Sequence, residues 1–487
     1  MYPVLAGVVM ALAVGFAVHQ PWSADLGVHA ATVERLRENL TDPGNPLVDV
    51  DGPSPYYSPY PLLLALVARL TGLSAVTMLA IAGPVVVALL LWGLWAFVRT
   101  LTDRPLAPAL ALVFVLVLWG FKPRVWSGFL ALWGFPFLTP FPSTLALALT
   151  LLLWAGLSHT LDRPVRWIRY AGLGLLGGLV VLVHPFTMVY AGLGALALVA
   201  HRARRLPRAA WLGLALAAAE ALACVALWPY YSFTALLRAG SELDAIHKAL
   251  YDRPWLFYGL LVVALPALWW RFRRDRLDPL VLLFLGSTAV VVVGWVTGRY
   301  ALGRVWPAVL LSGQLALAVE LAGPLSRAVR RRFVPVVAAA CLVGAAVQAS
   351  NLLYLAPRAM LTDRVHRIAH IYVDWPDYAW LAPHTQPGDV ILTNDFYASR
   401  TVGARGLYTI ADAWPDPFLA DNARRRQDIL VLFRSTTDPA TRADLYAKYQ
   451  VRWILAIPGR WAPVDGLTLV ATGPKGERLY RIGSAHA

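Results

Sequence analysis

The chain has 487 residues, 58% of them hydrophobic and only 15% charged, far more apolar surface than one water-soluble core of that length buries, so the bilayer is its solvent. A formal charge of +15 would suggest nucleic acid in a soluble protein, but most of the excess lies in short basic runs between apolar segments, and membrane topology explains it without a nucleic-acid partner. Cys224 and Cys341 both fall inside apolar runs, where cysteine is a small buried hydrophobe, and no disulfide is expected.

Apolar stretches near the ~20 residues that cross a ~30 Å hydrocarbon layer recur about eleven times before Tyr354. They cover 2–18, 76–98, 105–121, 134–157, 168–183, 185–200, 209–230, 255–270, 279–297, 301–322 and 333–353. The first lacks a basic leading region and a small-residue cleavage site, so it reads as a retained helix. Arg99 with Arg104, Arg163 with Arg166 and Arg169, Arg202 to Arg208, Arg271 to Arg276 and Arg327 to Arg332 fall in alternate gaps, which the positive-inside rule assigns to the cytosol. The expected fold is a polytopic α-helical membrane protein. Its membrane domain covers 1–353 and includes the first outer loop, 19–75; a small soluble α/β domain, 354–487, is extracytoplasmic.

In the first loop, Leu26, Ala30, Val33, Leu36 and Leu40 share one stripe at helical spacing within 24–40, which predicts an amphipathic surface helix with Asp25, His29 and Thr32 off the stripe. Ser23 suits the N-cap, which puts Asp25 in the first turn, where the helix dipole favours an ionised carboxylate. Such a group is a usable general base and equally a plain capping residue. His29, one turn on, is placed to bond the same substrate or to orient Asp25. Asp49 and Asp51 then precede Ser-Pro-Tyr-Tyr-Ser-Pro-Tyr-Pro at 54–61, a proline-stiffened stretch that excludes a regular helix. Tyr56, Tyr57 and Tyr60 either stack on a sugar or form an interfacial aromatic belt. The run 62–73 is too short to span and carries Arg69, so it is laid along the outer interface.

Lys122 and Arg124 sit at an outer helix end, against the positive-inside trend. Between Arg169 and Arg202 an even number of crossings must lie, and His184-Pro185 is the turn. Halves of about 13 to 16 residues reach only ~20 to 24 Å at ~1.5 Å per residue, so the tip is sunk below the outer surface. Irregular backbone at that depth must line a recess or be covered by protein, which marks His184-Pro-Phe-Thr187. A structural hydrogen bond is the alternative role for His184, and Glu220 in the next crossing either acts or ties two helices together. Arg299 and Arg304 begin a later crossing from the outer side. Guanidinium groups bind phosphate bidentately, so these stranded cations point to an anionic lipid phosphate; snorkelling to ordinary headgroups is the alternative. After Tyr354, 389–393, 451–457, 467–472 and 478–482 read as strands, the last two joined by Gly-Pro-Lys-Gly, with helical spacing at 421–433 and 442–449.

Asp25 at the start of the first outer loop, Tyr-Tyr-Ser-Pro-Tyr-Pro-Leu, the His-Pro turn, Arg299-Tyr300 with Pro307 downstream, and a soluble tail together resemble the GT-C superfamily of integral-membrane glycosyltransferases. That superfamily includes protein O-mannosyltransferases, aminoarabinose transferases and cell-wall arabinofuranosyltransferases. The resemblance spans nearly the whole chain. It implies a polyprenyl-phosphate sugar donor, transfer at the outer face of a bacterial plasma membrane, and an acidic base in the first loop. Members with a paired Asp-Glu differ from this chain: Leu26 follows Asp25, and the nearest glutamate is Glu34, which leaves one carboxylate with Asp49 and Asp51 as rivals.

On that footing Asp25 deprotonates an acceptor hydroxyl of a glycan, lipid or protein, in an inverting hexosyl or pentosyl transfer. Arg299 and Arg304, with Lys122 or Arg124, stabilise the leaving phosphate, while His29, His184, Tyr300 and the loop tyrosines and aspartates contact substrate. The scheme requires no metal and no cofactor beyond the donor lipid. A transporter or flippase of a lipid-linked sugar also suits a broken hairpin with an intramembrane glutamate, although the chain lacks internal repeats. A non-catalytic scaffold whose tail binds cell-wall polymer is a third reading.

Overall fold

Each of the eleven apolar stretches forms helix, but not all of them reach across a bilayer. A computed structural model of the chain describes all residues except 20, 24, 239–240, 358–359, 361, 366–374, 377, 414–415, 458–465 and 484–487. Among the described residues nine helical segments are long and apolar enough to span: Tyr2–His19, Ala75–Leu101, Pro142–Leu161, Pro185–Arg205, Arg208–Ala226, Pro254–Arg274, Pro279–Thr297, Tyr300–Ala322 and Arg327–Leu355. Ala107–Val117 and Trp167–Val183 are shorter. The protein is a multi-pass membrane protein. Proline marks many helix starts, since a residue without an amide hydrogen costs nothing at the first turn. Asp278 caps Pro279–Thr297 by accepting from the amides of Leu280 (3.0 Å) and Val281 (3.2 Å), and its second oxygen takes the guanidinium of Arg271 at 2.6 Å.

The chain divides into two compact units. One comprises 1–21, 80–228 and 240–372; the other comprises 22–79, 229–239 and 373–487. Residues 22–79 thus group with the tail, whereas their sequence position suggested the membrane domain.

In the first unit, Pro142–Leu161, Trp167–Val183 and Pro185–Arg202 pack around Leu149, Val180 and Ala191. The crossing expected at 134–157 starts instead at Pro142, and the helix expected at 105–121 ends at Val117. Between them the backbone is irregular apart from the short helix Phe135–Leu138, as the density of Gly, Pro and Trp there dictates. Its polar groups are paired by buried side chains. Gln314 donates to the Leu118 carbonyl at 2.9 Å, Asn351 donates to the Trp133 carbonyl, and Gln348 accepts from the Trp133 amide at 3.4 Å. Within hydrocarbon, a non-helical backbone requires such internal partners.

The second unit holds a five-stranded sheet of β1 (Val390–Leu392), β2 (Tyr408–Thr409), β3 (Val451–Ala456), β4 (Leu467–Thr472) and β5 (Arg478–Ile482), in the order β2-β1-β3-β5-β4. β1 is parallel to β2 and β3, while β5 is antiparallel to β3 and β4. Alternate residues bury opposite faces. Val390, Leu392, Ile454 and Tyr480 pack with Leu432 and Tyr446, from helices Asn422–Phe433 and Pro439–Lys448; Ile391, Trp453 and Leu479 pack with Leu381 and Val402.

The first loop is built into this layer. The Thr409 amide at the sheet edge donates to the Leu47 carbonyl (2.8 Å), and Arg35 donates to the carbonyls of Gly406 (3.0 Å) and Leu407 (2.9 Å). The loop helix runs Leu26–Glu38, and residue 24, where the periodicity began, lies outside the described residues. It is no surface helix: Thr32, Glu34 and Arg35 are buried along with its apolar stripe. A stripe read from periodicity identifies one covered face, whereas here the tail covers the other. The prolines at 59 and 61 do not exclude helix either; they occupy the first turn of Pro59–Thr71.

Candidate functional site

Pro185 disfavours the helical region for the residue before it, and His184 accordingly adopts φ −155°, ψ 98° between Trp167–Val183 and Pro185–Arg202. At 17 and 18 residues these helices reach about 26 Å at 1.5 Å per residue, longer than the sequence pattern suggested. The break turns the imidazole toward Arg304, whose Nη2 lies 3.0 Å from Nε2 of His184. A guanidinium has only N–H groups to offer, so Nε2 accepts and the ring proton resides on Nδ1, which donates to Oγ1 of Thr187 at 2.7 Å. That hydroxyl lies 3.1 Å from the Tyr190 hydroxyl, which completes a buried chain. Ser127 Oγ lies 3.5 Å from the same Nε2.

Arg304 comes from the 3-10 turn Tyr300–Val305, is only 8% exposed, and lies over the Phe186 ring at 4.7 Å. Phe186 in turn packs on His247, which packs on Trp126, both at centroid separations of 5.5 Å. A cation held this way against aromatic faces, with its partner histidine fixed from behind, is preorganised for an anion.

The other stranded cations have different surroundings. Arg124 donates to the Ala249 carbonyl at 2.7 Å and lies 3.7 Å over the Phe257 ring, so it ties down the segment before the Pro254 crossing. Lys122 and Arg299 are exposed. Tyr300 packs against Tyr251 at 5.5 Å. Glu220 abuts Gly174 of the neighbouring helix, where a β-carbon would meet its Oε2 at 2.6 Å. Of the sequence candidates in this unit, His184 and Arg304 are in direct contact. Sequence reasoning missed His247 and Ser127, which no local pattern distinguishes from core residues.

In the second unit Asp25, not Ser23, is the N-cap of Leu26–Glu38, and its side chain makes no capping hydrogen bond. Its carboxylate acts electrostatically on Arg400: desolvation lowers the pKa of that guanidinium, and the Asp25 charge pulls it back up. Gly27 explains the close approach, since a β-carbon there would meet the Arg400 carbonyl at 1.5 Å. Desolvation pushes His29 down to about 4, and its ring meets Tyr56 edge-on at 5.7 Å. At neutral pH His29 is therefore a neutral hydrogen-bonding group.

The tyrosines divide. Tyr56 is half-buried, whereas Tyr57, 1% exposed and 5.7 Å from Tyr230, and Tyr60 are core residues and present no face to a sugar. Their hydrophobic bodies fill the unit, which an aromatic count in sequence does not reveal. Asp49 and Asp51 are exposed, and their charges raise the Tyr408 phenol, secondary to its burial. Arg400 is the functional candidate that the sequence concealed, because nothing local links it to a loop nearly four hundred positions earlier.

No family model and no curated protein matches the sequence. Solved structures do. The chain is similar to the arabinofuranosyltransferase AftD from mycobacteria (TM-score 0.59, 18% identity, 99% of this chain and 40% of that one). It is also similar to ArnT from Cupriavidus metallidurans bound to undecaprenyl phosphate (TM-score 0.57, 15% identity, 100% and 99% covered). A third is the archaeal oligosaccharyltransferase AglB from Archaeoglobus fulgidus in complex with an inhibitory peptide and a dolichol-phosphate (TM-score 0.52, 12% identity, 93% and 69% covered). The chain spans 40% of the length of AftD. At these identities the likeness is one of fold.

Proposed function

We propose that this chain is an inverting glycosyltransferase of the GT-C type that moves a hexosyl or pentosyl group from a polyprenyl phosphate to a hydroxyl of a cell-envelope glycan, lipid or protein. The observation that carries the reading is the Arg304–His184 contact at the broken hairpin, a buried guanidinium preorganised in aromatic surroundings. The polyprenyl phosphates bound to ArnT and AglB support a lipid phosphate as its ligand by analogy of fold. In this reading the tail and the first loop face the outside of a bacterial plasma membrane.

Asp25 takes the proton of the acceptor hydroxyl, whose oxygen forms a bond to the anomeric carbon from the side opposite the phosphate. The bond from that carbon to the phosphate oxygen breaks, its electron pair stays with the phosphate, and the configuration inverts. Arg304 takes up the charge that develops there, held in register by His184. A phosphate monoester is a good leaving group without protonation, so one carboxylate and a fixed cation suffice and the scheme runs without a metal. The test is direct: purified full-length protein in nanodiscs, supplied with radiolabelled polyprenyl-phosphate arabinose or mannose and a saccharide acceptor, transfers label. Intact donor recovered from every combination would overturn the reading.

A further inference from the structure

β1 connects to β2 on one side, and the chain then returns to place β3 on the other, so adjacent strands β1 and β3 send their connections in opposite directions. In open α/β sheets, the crevice outside the carboxyl ends of such a strand pair is where ligands bind. The turn leaving β1 there carries Phe396 and Tyr397, 45% and 36% exposed, two adjacent large aromatic side chains open to solvent.

These rings are held rigidly. The buried Asp395 carboxylate accepts from the amides of Tyr397 and Ala398, both at 2.9 Å, and from the Tyr378 hydroxyl at 3.3 Å. Arg400 donates to the Phe396 carbonyl at 3.1 Å and places its guanidinium 4.0 Å over the Phe396 ring. Trp22, three residues before Asp25 and 3% exposed, packs on Tyr397 at 5.0 Å and on Phe396 at 6.1 Å. Exposed aromatic rings near the Asp25 carboxylate and the Arg400 guanidinium match a neutral saccharide: its C–H faces stack and its hydroxyls bond to the charged groups. An anionic bilayer surface fits less well, because three carboxylates, Asp25, Asp412 and Asp395, act on Arg400 against one further guanidinium, that of Arg426.

We propose that Phe396 and Tyr397 form the platform on which the saccharide of the acceptor docks beside Asp25. The inference rests on the transferase reading, but its test does not require turnover. Saturation-transfer NMR on the full-length protein in nanodiscs, with a linear α-1,5-linked hexa-arabinofuranoside and with α-1,6-linked mannohexaose, measures binding directly. Saturation should pass to the C–H protons of at least one saccharide, and Phe396→Leu with Tyr397→Leu, which keep apolar bulk but lose the flat faces, should weaken that binding roughly tenfold.

Unchanged binding in the folded leucine variants, or no binding of either saccharide to the parent protein, overturns the platform. So does a loss of saturation that instead tracks broadening of these rings by spin-labelled lipid headgroups, which assigns them to the membrane. Saccharide binding lost in the variants, without turnover by the parent protein on any donor, leaves the platform standing and removes the transferase reading instead.

Discussion

Arg304 donates to Nε2 of His184 across 120 positions of sequence, and each residue is where it is because of a backbone break. Pro185 makes the break at the histidine, and a 3-10 turn makes it at the arginine. The guanidinium is only 8% exposed, and removing a hydrogen-bond partner from a buried charged group is costly, which makes the pair sensitive to substitution.

Arg304→Ala should lower turnover about 100- to 1,000-fold, the usual cost of deleting one preorganised group that faces developing charge. Arg304→Lys keeps the charge but loses the planar fork, so it should restore only part of the rate. Steady-state transfer assays on the two variants check the order; equal rates for lysine and arginine would show that the fork is irrelevant.

His184→Ala removes the Nε2 acceptor that Arg304 meets at 3.0 Å and should lower thermal stability by roughly 1 to 3 kcal/mol, the range for losing one partner of a buried hydrogen bond. His184→Gln retains an acceptor oxygen and should recover much of that. Thermal unfolding in one detergent, with and without added polyprenyl phosphate, distinguishes a structural loss from a ligand-linked one.

His29 stands near pKa 4 in the folded chain against an ordinary 6.5, so the unfolded chain binds the proton more readily. Its neutral form therefore supports the fold fully above about pH 6.5, and that support is lost as the pH falls toward about 4. His29→Gln should melt with a shallower decline between those values than the parent protein. Parallel melting curves from pH 7 to pH 4 would disprove the buried-neutral assignment.

Gly27→Ala sets a β-carbon 1.5 Å from the Arg400 carbonyl. The loop helix must shift, which should displace Asp25 and cut turnover at least about tenfold while the membrane helices stay folded. Hydrogen exchange provides the check: faster exchange at 400–407 and unchanged exchange in Pro142–Leu161 are expected.

Under the proposed mechanism Arg304 meets the phosphate charge, so transfer after dialysis against EDTA should proceed at the undialysed rate. Loss of activity that returns with added divalent cation would require a metal in the mechanism.

Much of the membrane architecture was legible because apolar length is a one-dimensional signal: every crossing from 2–18 to 333–353 contains helix. The strands at 390–392, 451–456, 467–472 and 478–482 were likewise legible from local pattern. The pairings were not. Gln314, Gln348 and Asn351 read as isolated polar residues, and only the irregular backbone at 118–133 shows what they satisfy. Helix Leu26–Glu38 looked amphipathic because a period shows one covered face and says nothing about a second cover supplied by residues 400–409. Arg304 stood out because it ran against the positive-inside trend and Asp25 because it opened the loop helix, whereas nothing local distinguished Arg400.

Asp25→Asn is nearly isosteric and removes the basic oxygen, so its turnover in nanodiscs tests the proposed base most directly. With folding and donor affinity unchanged, the rate should fall roughly 100- to 10,000-fold, the span attributed to a positioned general base. Wild-type turnover by the folded, donor-binding Asp25→Asn protein would contradict the mechanism.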